Sequence, residues 1–215
     1  IWYTEEYQRM FDLMTESVLK DKTLKEKFKN IKKIYFSRRK FGKAAATEFG
    51  EEYIEQCFNQ NGYESLGPET LTLREQIYVW NHAEAIACMN GTIPLNVVFC
   101  KNEKLKLTIL NKMSIYHKNP YIYLYMRNIQ AEFIDIYKEP LKGYPKSLGE
   151  GPYLIKTGKE FFHYCQREKF EIPYTGMKLK FYDLKQEIRY YLCVIGIGNK
   201  IRRVGSYIKR KMLRR

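Results

Sequence analysis

The stretch "AEAIACMNGTIPLNVVFC", residues 83–100, holds two apolar runs separated by Asn90-Gly91-Thr92. The first run, Ala85 to Met89, is short and bounded by polar and turn-forming residues, the pattern of a buried strand. The second opens on Ile93-Pro94, and proline is tolerated in the first turn of a helix. The stretch therefore predicts a strand, a tight polar turn and a short helix, which is half of a β-α-β unit.

The same alternation extends on both sides. "KKIYFS" (Lys32–Ser37), "YESLG", "KLKLTIL" and "AEFIDIY" read as four more short strands. Between them, helices are predicted from about Glu48 to the stop at Asn61-Gly62, over "TLREQIYVWNHA" with Thr72 as its cap, and over "NPYIYLYMRNIQ". Strands alternating with single helices give a parallel sheet. The expected fold is α/β, a Rossmann-like parallel sheet with helices on both faces. Residues 1–31 read as an N-terminal helix (Glu5–Leu19) and linker from a preceding domain, and 32–138 as the Rossmann-like, ligand-binding domain. Residues 139–181 read as a Pro/Gly-rich loop and a helix near Thr157–Lys169, and 182–215 as a basic amphipathic helical tail broken at Gly196, Gly198 and Gly205. The chain starts at Ile1 inside a helix-like pattern, so it is expected to be the C-terminal part of a longer protein.

The net charge of +14 suggests a polyanionic partner. Eight lysines and arginines, with no acid, lie in Asn199–Arg215, and without them the balance is +6. Val194, Ile197, Ile201, Val204, Ile208 and Met212 recur there at helical spacing, a pattern that suits a packing helix or an anionic membrane surface. The expected location is cytoplasmic, peripheral at the inner face of the cell membrane. The alternative is a non-enzymatic polyanion or nucleic-acid-binding module driven by this tail. Terminal charge without a stacking motif ranks that second, so no nucleic acid is expected among the partners. The five cysteines form no C-x-x-C pair and read as buried thiols. His82, His117 and His163 are far apart, and no Asp-x-Asp occurs, so neither a metal nor a cofactor is expected. No Walker loop or G-x-S-x-G turn occurs either.

Ligands of open parallel sheets bind beyond the carboxyl ends of the strands. Three segments fall there: Ser37-Arg38-Arg39-Lys40, Asn90-Gly91-Thr92 and Asn111-Lys112. Gly91 would allow a tight turn and close approach, Thr92 would cap the next helix, and Arg38 or Arg39 would clamp an anion. A pyrophosphate suits that set, although each segment alone also reads as an ordinary turn or a solvated face.

"KIYFSRR", followed by "GEEYIEQCFNQNGYESLGPETLTLREQIYVWNHAEAIACMNGTIPLNVVF", resembles the family-61 glycosyltransferases. Bacterial members build capsular and other surface polysaccharides. The pattern is carried here by Ser37-Arg38-Arg39, Glu51, Gly62-Tyr63-Glu64, Pro68-Glu69, Glu75-Gln76, Gly91-Thr92 and Asn96, over about residues 32 to 110. Two departures stand out: Gly50 replaces the family's Asn before the Glu, and an Arg usual just ahead is absent. The resemblance implies the donor-binding half of a GT-B enzyme. That enzyme would be an inverting, metal-independent hexosyl- or pentosyltransferase using a nucleotide-diphospho-sugar and a glycan acceptor, possibly lipid-linked. The acceptor half, with the family's His-Trp region, would lie outside this chain. The implied donor-binding residues are Ser37, Arg38, Arg39, Glu51, Gln76, Asn90, Gly91, Thr92 and Asn96. Taken alone, Glu51 also reads as an acid favoured by a helix N-terminus, Gln76 as a polar surface position, and Asn96 as a cap of the short helix.

Overall fold

The computed structural model describes residues 3–115, 118–138 and 151–196. Helix α1 (Glu5–Leu19) starts at an N-cap where Thr4 Oγ1 accepts from the Tyr7 amide. Helix α2 (Lys22–Phe28) starts at Asp21, whose carboxylate accepts from the Thr23 and Leu24 amides. Then come β1 (Lys33–Phe36), α3 (Gly42–Thr47), β2 (Glu48–Phe49), α4 (Glu51–Gln60), β3 (Glu64–Leu66) and α5 (Leu73–His82). Next are β4 (Ala85–Met89), a 3₁₀ turn (Ile93–Phe99), β5 (Lys106–Asn111), α6 (Pro120–Met126), β6 (Ala131–Asp135), β7 (Tyr153–Leu154), α7 (Lys159–Arg167) and α8 (Gly176–Val194).

Five strands form one parallel sheet in the order β3-β1-β4-β5-β6. From β1 the chain crosses to β3 on one side and returns to β4 on the other. The order therefore reverses between β1 and β4, the switch point where open α/β sheets bind ligands. Side chains alternate across the sheet. Ile34, Phe36, Ile86, Cys88, Leu107 and Ile109 face a core with Ile77, Trp80, Val97, Phe99 and Leu124 from α5, the 3₁₀ turn and α6. Tyr35, Ala87, Met89, Leu110 and Ile134 face a second core with Tyr53, Ile54, Phe58, Phe161 and Tyr164 from α4 and α7. Both faces are covered, which is why these strands read as apolar runs.

The five long strands, α1, α5, α6 and α7 lie where the sequence reading expects them. Thr72 forms a full capping box with Glu75 at the start of α5. Gly62 takes φ +80 after α4, as the Asn61-Gly62 stop requires. Three differences concern short or late elements. The helix expected from about Glu48 begins at Glu51, because Glu48 and Phe49 pair with Tyr153 and Leu154 in a separate two-stranded sheet. The helix after Pro94 is 3₁₀, not α. The last helix begins at Gly176, ahead of the expected Tyr182, and ends at Val194, with Gly196 at φ +74 just after its Ile195 cap. All five cysteines are thiols, and Cys57, Cys88, Cys100 and Cys165 are buried as expected. Most of the loop 139–152 and the tail 199–215 lie outside the described residues.

Candidate active site

The carboxyl end of β1 is held by charged groups. Glu51, the first residue of α4, is buried, and its Oε1 accepts from the Arg38 amide at 2.8 Å and from the Tyr35 hydroxyl at 3.1 Å. Burial pushes its carboxyl up to about 7, against the opposing effect of the Arg38 hydrogen bond. Arg38 lays its guanidinium on Glu48, with Nε 3.2 Å from Oε2 and Nη2 3.1 Å from Oε1. Lys112, just past β5, donates from Nζ to the same Glu48 Oε1 at 2.7 Å and lies 4.0 Å from the Tyr153 ring centroid. The Lys112 and Glu48 side chains are each only 3% exposed, so this ion pair is fully desolvated. Burial lowers the Lys112 ammonium from its ordinary value, against the pull of Glu48.

The carboxyl ends of β4, β5 and β6 are held by neutral groups and one acid. Asn90 Nδ2 donates to Asn111 Oδ1, and Asn111 Nδ2 donates to Asp135 Oδ1, both at 2.8 Å. The Tyr137 hydroxyl donates to Asp135 Oδ2 at 3.1 Å. Asn90 is buried, and its Oδ1 is a buried acceptor without a hydrogen-bond partner among the described residues. Such a group costs about 1–3 kcal/mol.

Beside the β1 end lies a polar cleft of about 190 Å³, lined by Arg39, Glu48, Glu51, Tyr182, Gln186 and Arg189 among others. Tyr182, from α8, accepts from the Tyr53 amide at 3.2 Å and donates to the Gly50 carbonyl at 3.1 Å. A residue from the far end of the chain thus satisfies a free amide at the start of α4. Gly50 has φ +106, and a Cβ added there would sit 2.1 Å from the Ile155 carbonyl oxygen. This accounts for glycine where the family pattern has Asn: the backbone at Ile155, just past β7, runs too close for any side chain.

The sequence-predicted residues divide into groups. Ser37, Arg38, Glu51, Asn90, Gly91 and Thr92 lie around the switch point, with Ser37 buried and donating its amide to the Leu66 carbonyl. Arg39 turns to the surface of α4 and pairs with Glu55 at 2.6 Å and Glu52 at 3.5 Å. Gln76 and Asn96 hold each other. Asn96 Nδ2 donates to Gln76 Oε1 at 2.7 Å, while Gln76 Nε2 donates to the Pro68 and Leu71 carbonyls. They brace α5 against the 3₁₀ turn. Two expectations need correction. Thr92 makes no side-chain cap bond, because its backbone is αR rather than extended, and the 3₁₀ turn behind it is too short to present a helix N-terminus. Gly91 is not at positive φ, and an added Cβ would meet nothing within 4 Å, so the turn itself does not demand glycine.

Sequence reasoning missed Glu48, Asp135, Tyr182, Gln186 and Arg189. Asn111 and Lys112 lie at a strand end in the sequence but are not among the donor-binding residues that the resemblance implies. Nothing local marks Glu48 or the α8 residues, whose partners are distant in sequence. Among the described residues, no three His, Cys, Asp or Glu side chains gather as a metal-holding group.

No curated protein matches this chain. Residues 3–109 match the family model Glycosyltransferase 61, a span that runs from α1 into β5 and takes in Arg38, Glu48, Glu51 and Asn90. With the parallel sheet and its switch-point cluster, that match supports the chain as a glycosyltransferase of family 61.

Proposed function

We propose that this chain is the donor-binding half of a GT-B glycosyltransferase that moves a sugar from a nucleotide-diphospho-sugar to a glycan acceptor in capsular or other surface polysaccharide synthesis. The observation that carries the reading is Glu48, which draws Arg38 from the end of β1 and Lys112 from the end of β5, the strands on either side of β4, onto one carboxylate. A diphosphate entering the switch point meets the partly exposed Arg38 guanidinium already held by Glu48, with Lys112 buried behind the same carboxylate, so little order is lost when Arg38 binds it. The acceptor hydroxyl attacks the anomeric carbon and the bond to the diphosphate oxygen breaks with its electron pair. The proton goes to a base, and the configuration inverts. Arg38 and Lys112 stabilise the charge developing on the leaving oxygen, the work a metal performs in other transferases. Asn90 Oδ1 is the acceptor for a donor hydroxyl.

The test is calorimetric titration of the full chain with UDP and the other nucleoside diphosphates, with and without chelator. The expected result is binding that ignores chelator and weakens about tenfold or more in Arg38→Ala, the loss of one charge-assisted contact. Binding of none of them, or binding that needs Mg²⁺, overturns the proposal.

A further inference from the structure

Helix α8 has two apolar sides, and only one is covered. Its inner side packs Tyr190 against Phe49 and buries Gln186 beside the cleft. Its outer side carries Met177, Phe181, Leu184, Ile188 and Tyr191, and Ile195 continues the row past the helix end. Each is between 38% and 65% exposed. Steps of four, three, four, three and four residues put all six on one line, about 27 Å long. Ordinary surfaces scatter their exposed apolar residues, whereas this is a continuous stripe.

The charges beside the stripe decide its occupant. Lys178, Lys180 and Lys185 are exposed along it, while Arg189 turns toward Gln186 and Phe49 on the cleft side. The helix's two acids are drawn inward: Glu187 to Lys138 at 2.6 Å and Lys156 at 3.0 Å, and Asp183 to Lys156 at 4.0 Å. An apolar stripe rimmed by unopposed cations is the pattern of a helix lying in an anionic bilayer interface. A second copy fits poorly. Pairing α8 with itself along the stripe, in either direction, brings Lys180 or its neighbours Lys178 and Lys185 against their counterparts. Helix α1 gives the contrast: beside its exposed Tyr7, Met10, Leu13 and Met14, Asp12 pairs with Arg127 and Glu16 with Lys101, and Glu5, Glu6 and Arg9 leave no excess of cations for an anionic surface.

We infer that the outer face of α8 docks on an anionic lipid bilayer, with the Met177–Ile195 stripe in the headgroup boundary and the lysines against lipid phosphates. Among the described residues no helix is long and apolar enough to cross a membrane, so the contact is in plane. The opposite side of α8 lines the cleft, so docking holds the cleft about one helix diameter from the headgroups, within reach of a lipid-linked acceptor. This surface stands independently of the donor chemistry.

The test is co-sedimentation of the full chain with phosphatidylcholine vesicles and with vesicles of equal parts phosphatidylcholine and phosphatidylglycerol. The parent chain is expected to pellet with the anionic vesicles only. Phe181→Glu with Ile188→Glu, and separately Lys178→Glu with Lys180→Glu and Lys185→Glu, should each weaken partitioning roughly tenfold or more. All five positions are exposed, and an unchanged melting temperature confirms folding. Phe181→Trp should show a blue-shifted emission on anionic vesicles beyond that of the parent. The inference fails if the parent does not pellet, if neutral vesicles serve as well, or if both variants pellet like the parent, which would assign binding to the basic residues 199–215. It also fails if light scattering shows a dimer that the Phe181/Ile188 variant dissolves while lipid binding persists.

Discussion

The two ends of the switch point are built from opposite materials. At β1 the structure relies on ionised groups: Arg38 and Lys112 on Glu48, with Glu51 beneath. At β4, β5 and β6 it relies on a row of amides, Asn90 to Asn111, ending on Asp135. A buried ion pair fixes position tightly but is costly to break, because removing one partner strands a charge in a low-dielectric interior. An amide row costs little in desolvated charge and orders a surface without setting a strong field. The contrast suits a crevice in which one side meets charge and the other reads hydroxyls.

The largest effect expected from disturbing this contrast is at Glu48. Glu48→Gln leaves Lys112 buried without a counter-ion and removes the two-pronged seat of Arg38, at a cost of about 3–5 kcal/mol. Urea denaturation measures it. A Glu48→Gln, Lys112→Met double variant should recover much of the loss, and equal losses in both would show that the ion pair is not what the β1 end depends on.

Glu51 sharpens the comparison through pH. Its carboxyl is raised from 4.5 to about 7, so the folded chain binds that proton more tightly than the unfolded chain. The associated stability is full below about pH 4.5 and is lost as pH rises through about 7. Glu51→Gln keeps an acceptor for the Arg38 amide and mimics the protonated form. Above about pH 8 it should be more stable than the parent by roughly 3 kcal/mol, with the gain vanishing near pH 4.5. Melting curves across that range provide the measurement, and a gain independent of pH would refute the assignment.

The smallest effect belongs to the amide row. Asn111→Ala removes two neutral-donor hydrogen bonds and should cost about 1–2 kcal/mol. Denaturation of the variant checks this, and a loss as large as that of Glu48→Gln would erase the distinction between the two ends.

Much of this architecture is legible along the chain because it rests on short-range periodicity. Ile34-Tyr35-Phe36 and Ala85 to Met89 are buried on both faces, so their apolar runs stand out between turn residues, and Thr72 with Glu75 announces α5 by local hydrogen bonds. The convergence of Ser37-Arg38, Asn90-Gly91 and Asn111-Lys112 also follows from β-α-β logic, because strand ends of a parallel sheet share one edge. The two-residue strands β2 and β7 carry no period at all. Glu48 is therefore indistinguishable in sequence from a solvated acid, although it is the partner that Arg38 finds. Arg39, adjacent to Arg38, looks identical and goes instead to the surface of α4.

What residue order alone determined is the five strands of the main sheet with α1, α5, α6 and α7, their parallel arrangement, and the edge where a ligand belongs, since these follow from periodicity, caps and chain direction. Only tertiary structure decided which cation faces which acid, that Gly50 must lack a side chain beside Ile155, and that Tyr182 closes the start of α4. It also decided which side of α8 stays bare. Those outcomes depend on contacts between residues from 10 to 129 apart in the chain, and no local pattern encodes a distance until the two cores have packed.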